Sequence, residues 1–151
     1  MFLPLFGLSK SDVKKMEAKH DVEGLVKALS YKKDTSVGLS AANALVTMGD
    51  ERAVDGLILS LKDPDLNVGK LAAWVLFKIG GERTVDKLIV ASQSPDVNVR
   101  FFAALTLGEI GDKRALDCLS AFWDNEKDVS VRAAAAKACV QILKANSPSQ
   151  P

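Results

Sequence analysis

The chain has 151 residues, 48% hydrophobic and 26% charged, which suits a folded protein of ordinary globular composition. Its 20 basic and 19 acidic side chains nearly cancel, so the cationic excess that grips nucleic-acid phosphates or an anionic membrane is missing. Two cysteines, Cys118 and Cys139, make neither a disulfide framework nor a four-ligand metal site, which points to a reducing, cytoplasmic setting.

Residues 1–8 form an apolar arm. It lacks a basic start, contains Pro4 and is too short for a secretory leader, and no stretch of the chain approaches the roughly 20 apolar residues of a membrane span. Ser9 or Ser11 can cap a short helix through about Ala18, with Met16 facing inward. Residues 1–20 are therefore expected to cover the open side of whatever follows, or to contact a second chain.

A helix is predicted over residues 21–30, where Val22, Leu25, Val26 and Leu29 recur at helical spacing. Counterparts follow at residues 51–61, 82–91 and 113–123, with inward sets Val54, Leu57, Leu61; Val85, Leu88, Ser92; and Leu116, Leu119, Trp123. Ser92 departs from the apolar pattern, and a looser turn is expected there. Each of these A helices leads into a polar connection ending in Asp34, Asp65, Asp96 or Asp128. Aspartate accepts the free N–H groups of a helix start and suits its positive dipole end. Second helices, B, are thus predicted over residues 35–48, 66–79, 97–110 and 129–143. Their inward faces carry Val37, Ala41, Leu45, Met48 and the equivalents at Val68, Val99 and Val131, with Cys139 standing as a small core residue beside Ile142. Gly49, Gly80 and Gly111 mark left-handed helix stops.

The four valines are spaced 31, 31 and 32 residues apart, the signature of stacked helix pairs in a solenoid. Repeats are assigned to residues 21–49, 50–80, 81–111 and 112–144, and residues 145–151 are expected to form a disordered tail.

The phrases GDERAVDGL, GERTVDKL and GDKRALDCL, which begin at Gly49, Gly81 and Gly111, carry a family resemblance. So do the Val-x3-Ala-Ala-x2-Leu-x2-Ile-Gly runs at Val68 and Val99. Over residues 21–143 the chain resembles the HEAT-like repeat family in its short phycobilisome-lyase-type form. The resemblance implies an all-α, right-handed α-solenoid of four HEAT-like helix pairs with an N-terminal capping helix. In that family the B helices line a concave side that usually binds partners. The family's arginine after the B-helix valine is matched by Arg100 and Arg132 but not by Gly38 and Gly69. The two arginines are expected to pair with aspartates of neighbouring turns. The glycines, each costing about 1 kcal/mol relative to alanine, should make the N-terminal half softer. Arg52, Arg83 and Arg114 form a further column, read as structural or solvated.

Signals for catalysis are sparse. Some HEAT-like proteins hydroxylate a protein substrate through iron held by His-Glu pairs. The sole histidine here is His20, followed by Asp21, so that activity does not carry over. No phosphate-binding glycine loop occurs, and no histidine stands in a matching repeat position to activate Cys118 or Cys139. No catalytic residue, metal ligand or cofactor is assigned. Pigment chemistry does not follow from residues that only build repeats, and nucleic acid is disfavoured by the sparse basic residues of the B helices.

Removing the core positions leaves four columns on the B helices: Leu39, Lys70, Phe101, Ala133; Ser40, Leu71, Phe102, Ala134; Asn43, Trp74, Leu105, Lys137; and Thr47, Lys78, Glu109, Gln141. The middle repeats present Leu71, Trp74, Phe101, Phe102 and Leu105 as anchors, with Leu66 at a helix start and Lys70, Lys78 and Glu109 on the rim. An apolar centre within a polar rim is the anatomy of a protein interface. The reading is a non-enzymatic scaffold or adaptor that binds a protein or peptide in a concave groove. Two alternatives stand beside it: an accessory or lyase-like factor for a pigment-bearing protein, and a homodimer that closes its own groove.

Overall fold

The computed structural model describes residues 7–149. The arm of Met1–Phe6, with the covering or contact roles expected of it, lies outside them, as do Gln150 and Pro151. Among the described residues every regular element is helical, and the chain divides after Ile79 into two compact units.

The first unit contains α1 (Lys10–Ala18), α2 (Val22–Ala28), α3 (Thr35–Met48), α4 (Ala53–Ser60) and α5 (Leu66–Ile79). Ser9 opens α1 with a capping box: its Oγ accepts from the Asp12 N–H at 3.3 Å while the Asp12 carboxylate accepts from the Ser9 N–H at 2.9 Å. Asp34 and Asp65 accept from the N–H groups of Ser36 and Asn67, each at 2.9 Å, so two helix starts are fixed by the predicted residue type. Gly49 ends α3 in the left-handed region, at φ 58° and ψ 25°. The core is Leu25, Leu29, Val37, Leu45, Val54, Leu57, Leu61, Val75 and Leu76. Gly38 is buried, and a Cβ there would lie 2.9 Å from the Leu29 carbonyl oxygen. The glycine therefore lets α3 approach the end of α2 at backbone distance.

The second unit contains α6 (Gly81–Ala91), α7 (Val97–Ile110), a 3₁₀ turn (Lys113–Ala115), α8 (Leu116–Ser120), α9 (Phe122–Asn125) and α10 (Val129–Ala145). Asp96 and Asp128 cap α7 and α10, and Gly111 closes α7 at φ 78° and ψ 17°. Gly80 differs from the expected helix stop. Its φ is positive but its ψ is −149°, and it precedes α6 directly. Ser92 does not loosen its turn: it is fully buried, and its hydroxyl donates to the Ile89 carbonyl at 2.6 Å. The side chain thus satisfies itself locally where its counterpart Leu61 fills space.

Residues 113–123 are not one helix. The chain breaks at Ala121, and the restart brings Phe122 inward one residue earlier than the expected Trp123. Phe122 is buried, whereas Trp123 is 66% exposed, which corrects the assignment of Trp123 to the core.

Candidate interaction surfaces

The candidate residues fall on two helices, one in each unit. On α5, Leu66, Lys70 and Lys78 are exposed, and Leu71 and Trp74 are half-buried. The Lys78 ammonium sits 5.4 Å from the centroid of the Phe77 ring, within cation–π range. On α7, Val97 and Glu109 are exposed and Phe101 and Leu105 are half-buried.

Phe102 is the exception. It is only 3% exposed, and its ring meets that of Phe101 edge to face with centroids 5.4 Å apart. It belongs to the core of the second unit rather than to a partner-binding surface. The cause is that α7 packs against both α6 and α10, which leaves a single narrow strip open.

That strip is Val97, Phe101, Leu105 and Glu109, and its register equivalent on α5 is Leu66, Lys70, Trp74 and Lys78. A step of four residues drifts by only a few tens of degrees around a helix, so each set runs nearly straight along its helix. The α7 strip has an apolar centre and a charged end, while on α5 Lys70 interrupts the apolar run before Trp74. The column of Ser40, Leu71, Phe102 and Ala134 turns toward the packed side instead, none of the four being exposed.

Arg100 is not paired with an aspartate, as its expected place in a ladder required. Its guanidinium grips Glu126 by two bonds, Nε to Oε2 at 2.7 Å and Nη2 to Oε1 at 3.1 Å. Nη1 donates to the carbonyls of Ser94 and Pro95, each at 3.0 Å. The aspartates are already committed as helix caps, which leaves the connection's glutamate as partner. The Glu126 side chain is 6% exposed, and the Arg100 guanidinium holds its carboxyl below the ordinary glutamate value. Arg132 adds a bond from Nη1 to the Glu126 carbonyl at 2.7 Å.

The column of A-helix arginines is spent in different ways. Arg52 closes on Asp50 at 2.6 Å and lowers that carboxyl to about 2. Arg114 reaches Asp112, Asp86 and Glu82 at 3.0, 3.0 and 3.3 Å. Both cysteines are free thiols, and burial pushes both up, which reduces their thiolate fraction at neutral pH.

Two features escaped the sequence reading. An open cleft of about 780 Å³ lies in the first unit beside His20, Asp21, Glu23, Lys27, Arg52 and Asp63. Its charges are of both signs and largely paired, Lys27 with Glu23 at 2.7 Å, so it favours neither anion nor cation. The other is the outward side of α10, where Val129, Val140 and Leu143 are exposed. The 4-3-4-3 spacing of residues 129, 133, 136, 140 and 143 is the signal that could have found it.

Helix pairs recurring every 31 or 32 residues, the second helix of each opened by an aspartate, define a helical-repeat protein. The family profile described as HEAT repeats matches residues 22–92 and 60–140, and the chain belongs to that family. Its fold class is accordingly the all-α solenoid of HEAT-like helix pairs. No curated protein matches the chain. Among solved structures, that of human deoxyhypusine hydroxylase in complex with glycerol is similar at 25% identity and a TM-score of 0.62. The match covers 82% of this chain and 43% of that one, so this chain spans less than half the length of the enzyme. HEAT repeats generally mediate protein–protein interaction. Among the described residues no helix is long and apolar enough to cross a membrane.

Proposed function

We propose that this protein is a non-enzymatic interaction scaffold. It takes an amphipathic segment of a protein partner on an exposed strip of a B helix, Leu66, Lys70, Trp74 and Lys78 on α5 or Val97, Phe101, Leu105 and Glu109 on α7. The observation that carries this reading is the register match between the two strips. Each places a large apolar side chain at two of the same repeat positions, Leu66 with Val97 and Trp74 with Leu105, and ends in a charge, while Lys70 stands where α7 has Phe101. Trp74 and Phe101 are half-buried, so each ring is partly packed in the free protein yet partly open to a partner, the condition for an anchor that loses little entropy on binding.

The hydroxylase activity in the name of the similar structure is not carried over. A single histidine cannot supply a multi-histidine metal site, and burial makes the two thiols less nucleophilic rather than more. Free thiols suit a cytoplasmic, reducing compartment.

The test is selection of peptides from a random display library on the wild-type protein, followed by binding to Trp74→Asp and Phe101→Asp. Loss of more than tenfold in affinity, with helical circular dichroism retained, is the expected result. Peptides that bind both variants as well as the wild type would sink the reading.

A further inference from the structure

We infer that the outward side of α10 is a second docking surface, and that its occupant is an amphipathic helix with acidic flanks from another protein. Val129, Val140 and Leu143 are 70%, 52% and 58% exposed. Ala133 is exposed and Ala136 half-buried, and both lie between them on the same stripe. Spacing of four and three places all five positions on one line, the pattern by which a helix presents a seam to another helix. The buried residues Val131, Ala134, Ala135, Ala138 and Ile142 lie on the opposite side of α10. The outermost line of this helix is thus apolar where a solvated helix would be polar.

Two of these repeat positions are covered in α7, while Val97 and Phe101, the equivalents of Val129 and Ala133, stay on its open strip. In α7 the equivalents of Ala136 and Val140 are Ala104 and Gly108, both buried. A Cβ on Gly108 would lie 2.7 Å from the Ala138 Cα, so α7 receives α10 along this line at close range. In α3 the equivalent Ala42 is likewise buried. The middle of the stripe, Ala136 and Val140, thus corresponds to the positions at which α7 receives a helix, and its alanines permit the same close approach.

Charge decides between occupants. Arg132 lies on one flank of the stripe and Lys137 and Lys144 on the other, all exposed, and α10 contains no aspartate or glutamate. The two carboxylates of the connection before α10 are committed, Glu126 to Arg100 and Asp128 to the Val131 N–H at 3.0 Å. A second copy packed on this face would set three cations against three. A helix carrying glutamates or aspartates beside its apolar seam would pair with all of them. The stripe spans residues 129–143, about 20 Å at a rise of roughly 1.5 Å per residue, which fits a partner helix of about four turns.

The probe is a four-turn synthetic peptide with leucines at 4-3 spacing and glutamates on both flanks, compared with its twin carrying lysines for the glutamates. Wild-type protein should bind the glutamate peptide about tenfold more tightly, as expected for three exposed ion pairs. Val140→Asp should abolish this binding, and the triple variant R132E/K137E/K144E should reverse the preference. Trp74→Asp should leave it unchanged, which separates this surface from the strips on α5 and α7. The substituted side chains are solvent-facing apart from half-buried Trp74, Arg132 also donates to the Glu126 carbonyl, and unchanged circular dichroism confirms the fold of every variant, the triple one included. Equal binding of the two peptides, or binding of neither, overturns the inference. So does a dimer in sedimentation that Val140→Asp returns to monomer, which makes a second copy the occupant. Flotation with phosphatidylserine–phosphatidylcholine vesicles that Val140→Asp abolishes overturns it in favour of a lipid surface.

Discussion

The two units solve one packing problem in opposite ways at one repeat position. In the first unit, Gly38 and Gly69 follow the B-helix valine, and Gly38 lets backbone approach backbone at Leu29. In the second unit, Arg100 and Arg132 hold that position, and their guanidinium groups tie the loops before α7 and α10 to Glu126. The first solution is steric and indifferent to pH. The second is electrostatic and fails when its carboxylate is protonated. Reading the glycines only as missing arginines, and the first unit as the softer one, overlooks the contact that the glycine itself makes possible.

The largest expected difference lies at a second shared position. Phe102 is a core residue and its register equivalent Leu71 is half-buried. Phe102→Ala should cost about 4 kcal/mol, against about 2 kcal/mol for Leu71→Ala. Urea denaturation followed by circular dichroism, with amide exchange read separately in α5 and α7, measures both. A Phe102→Ala cost below 1 kcal/mol would return that ring to the surface.

Next in size is the clamp. Arg100→Ala leaves the nearly buried Glu126 carboxylate without its cation and should destabilise the second unit by about 3 kcal/mol. The effect has a pH signature. Folding lowers the Glu126 value below its ordinary 4.5, so the carboxylate adds stability that is full above 4.5 and is lost as pH falls through the lowered folded value. The gap between wild type and Arg100→Ala should therefore be widest near neutral pH and narrow below about 4.5. A gap that stays constant from pH 7 to pH 3 would remove the ion pair as its cause.

The helices and their starts were legible because their causes are local. An aspartate accepts from N–H groups two or three residues on, and apolar spacing of three and four is read within one helix. The strips on α5 and α7 were legible for the same reason. Phe102 was not, because α7 carries apolar residues on most of its circumference and only the packing of both α6 and α10 decides which are covered. Trp123 was misread because the break at Ala121 shifts the inward position by one residue. The partner of Arg100 was missed because the glutamate lies where the repeat runs to 32 residues rather than 31, outside the register that pointed to the aspartates. The stripe on α10 was passed over because Ala133, though placed outside the core, is small, and the exposure of Val140 and Leu143 depends on packing that spacing alone does not give.

The smallest expected effect is the most discriminating between the two solutions, because two terms oppose each other. Gly38→Ala gains about 1 kcal/mol of helix propensity within α3. It also sets a methyl 2.9 Å from the Leu29 carbonyl oxygen, closer than real Cβ atoms come to a neighbour. That oxygen belongs to the backbone at the end of α2, where Leu29 is itself buried, so it cannot swing aside as a flexible side chain would. Overpacking of this kind costs roughly 1–3 kcal/mol, which makes a net loss of about 1 kcal/mol the expected outcome. Slower amide exchange in α3 and a raised denaturation midpoint would reverse the sign. Gly38 would then be no more than a vacated arginine position, and the first unit would be the softer half that its glycines suggested.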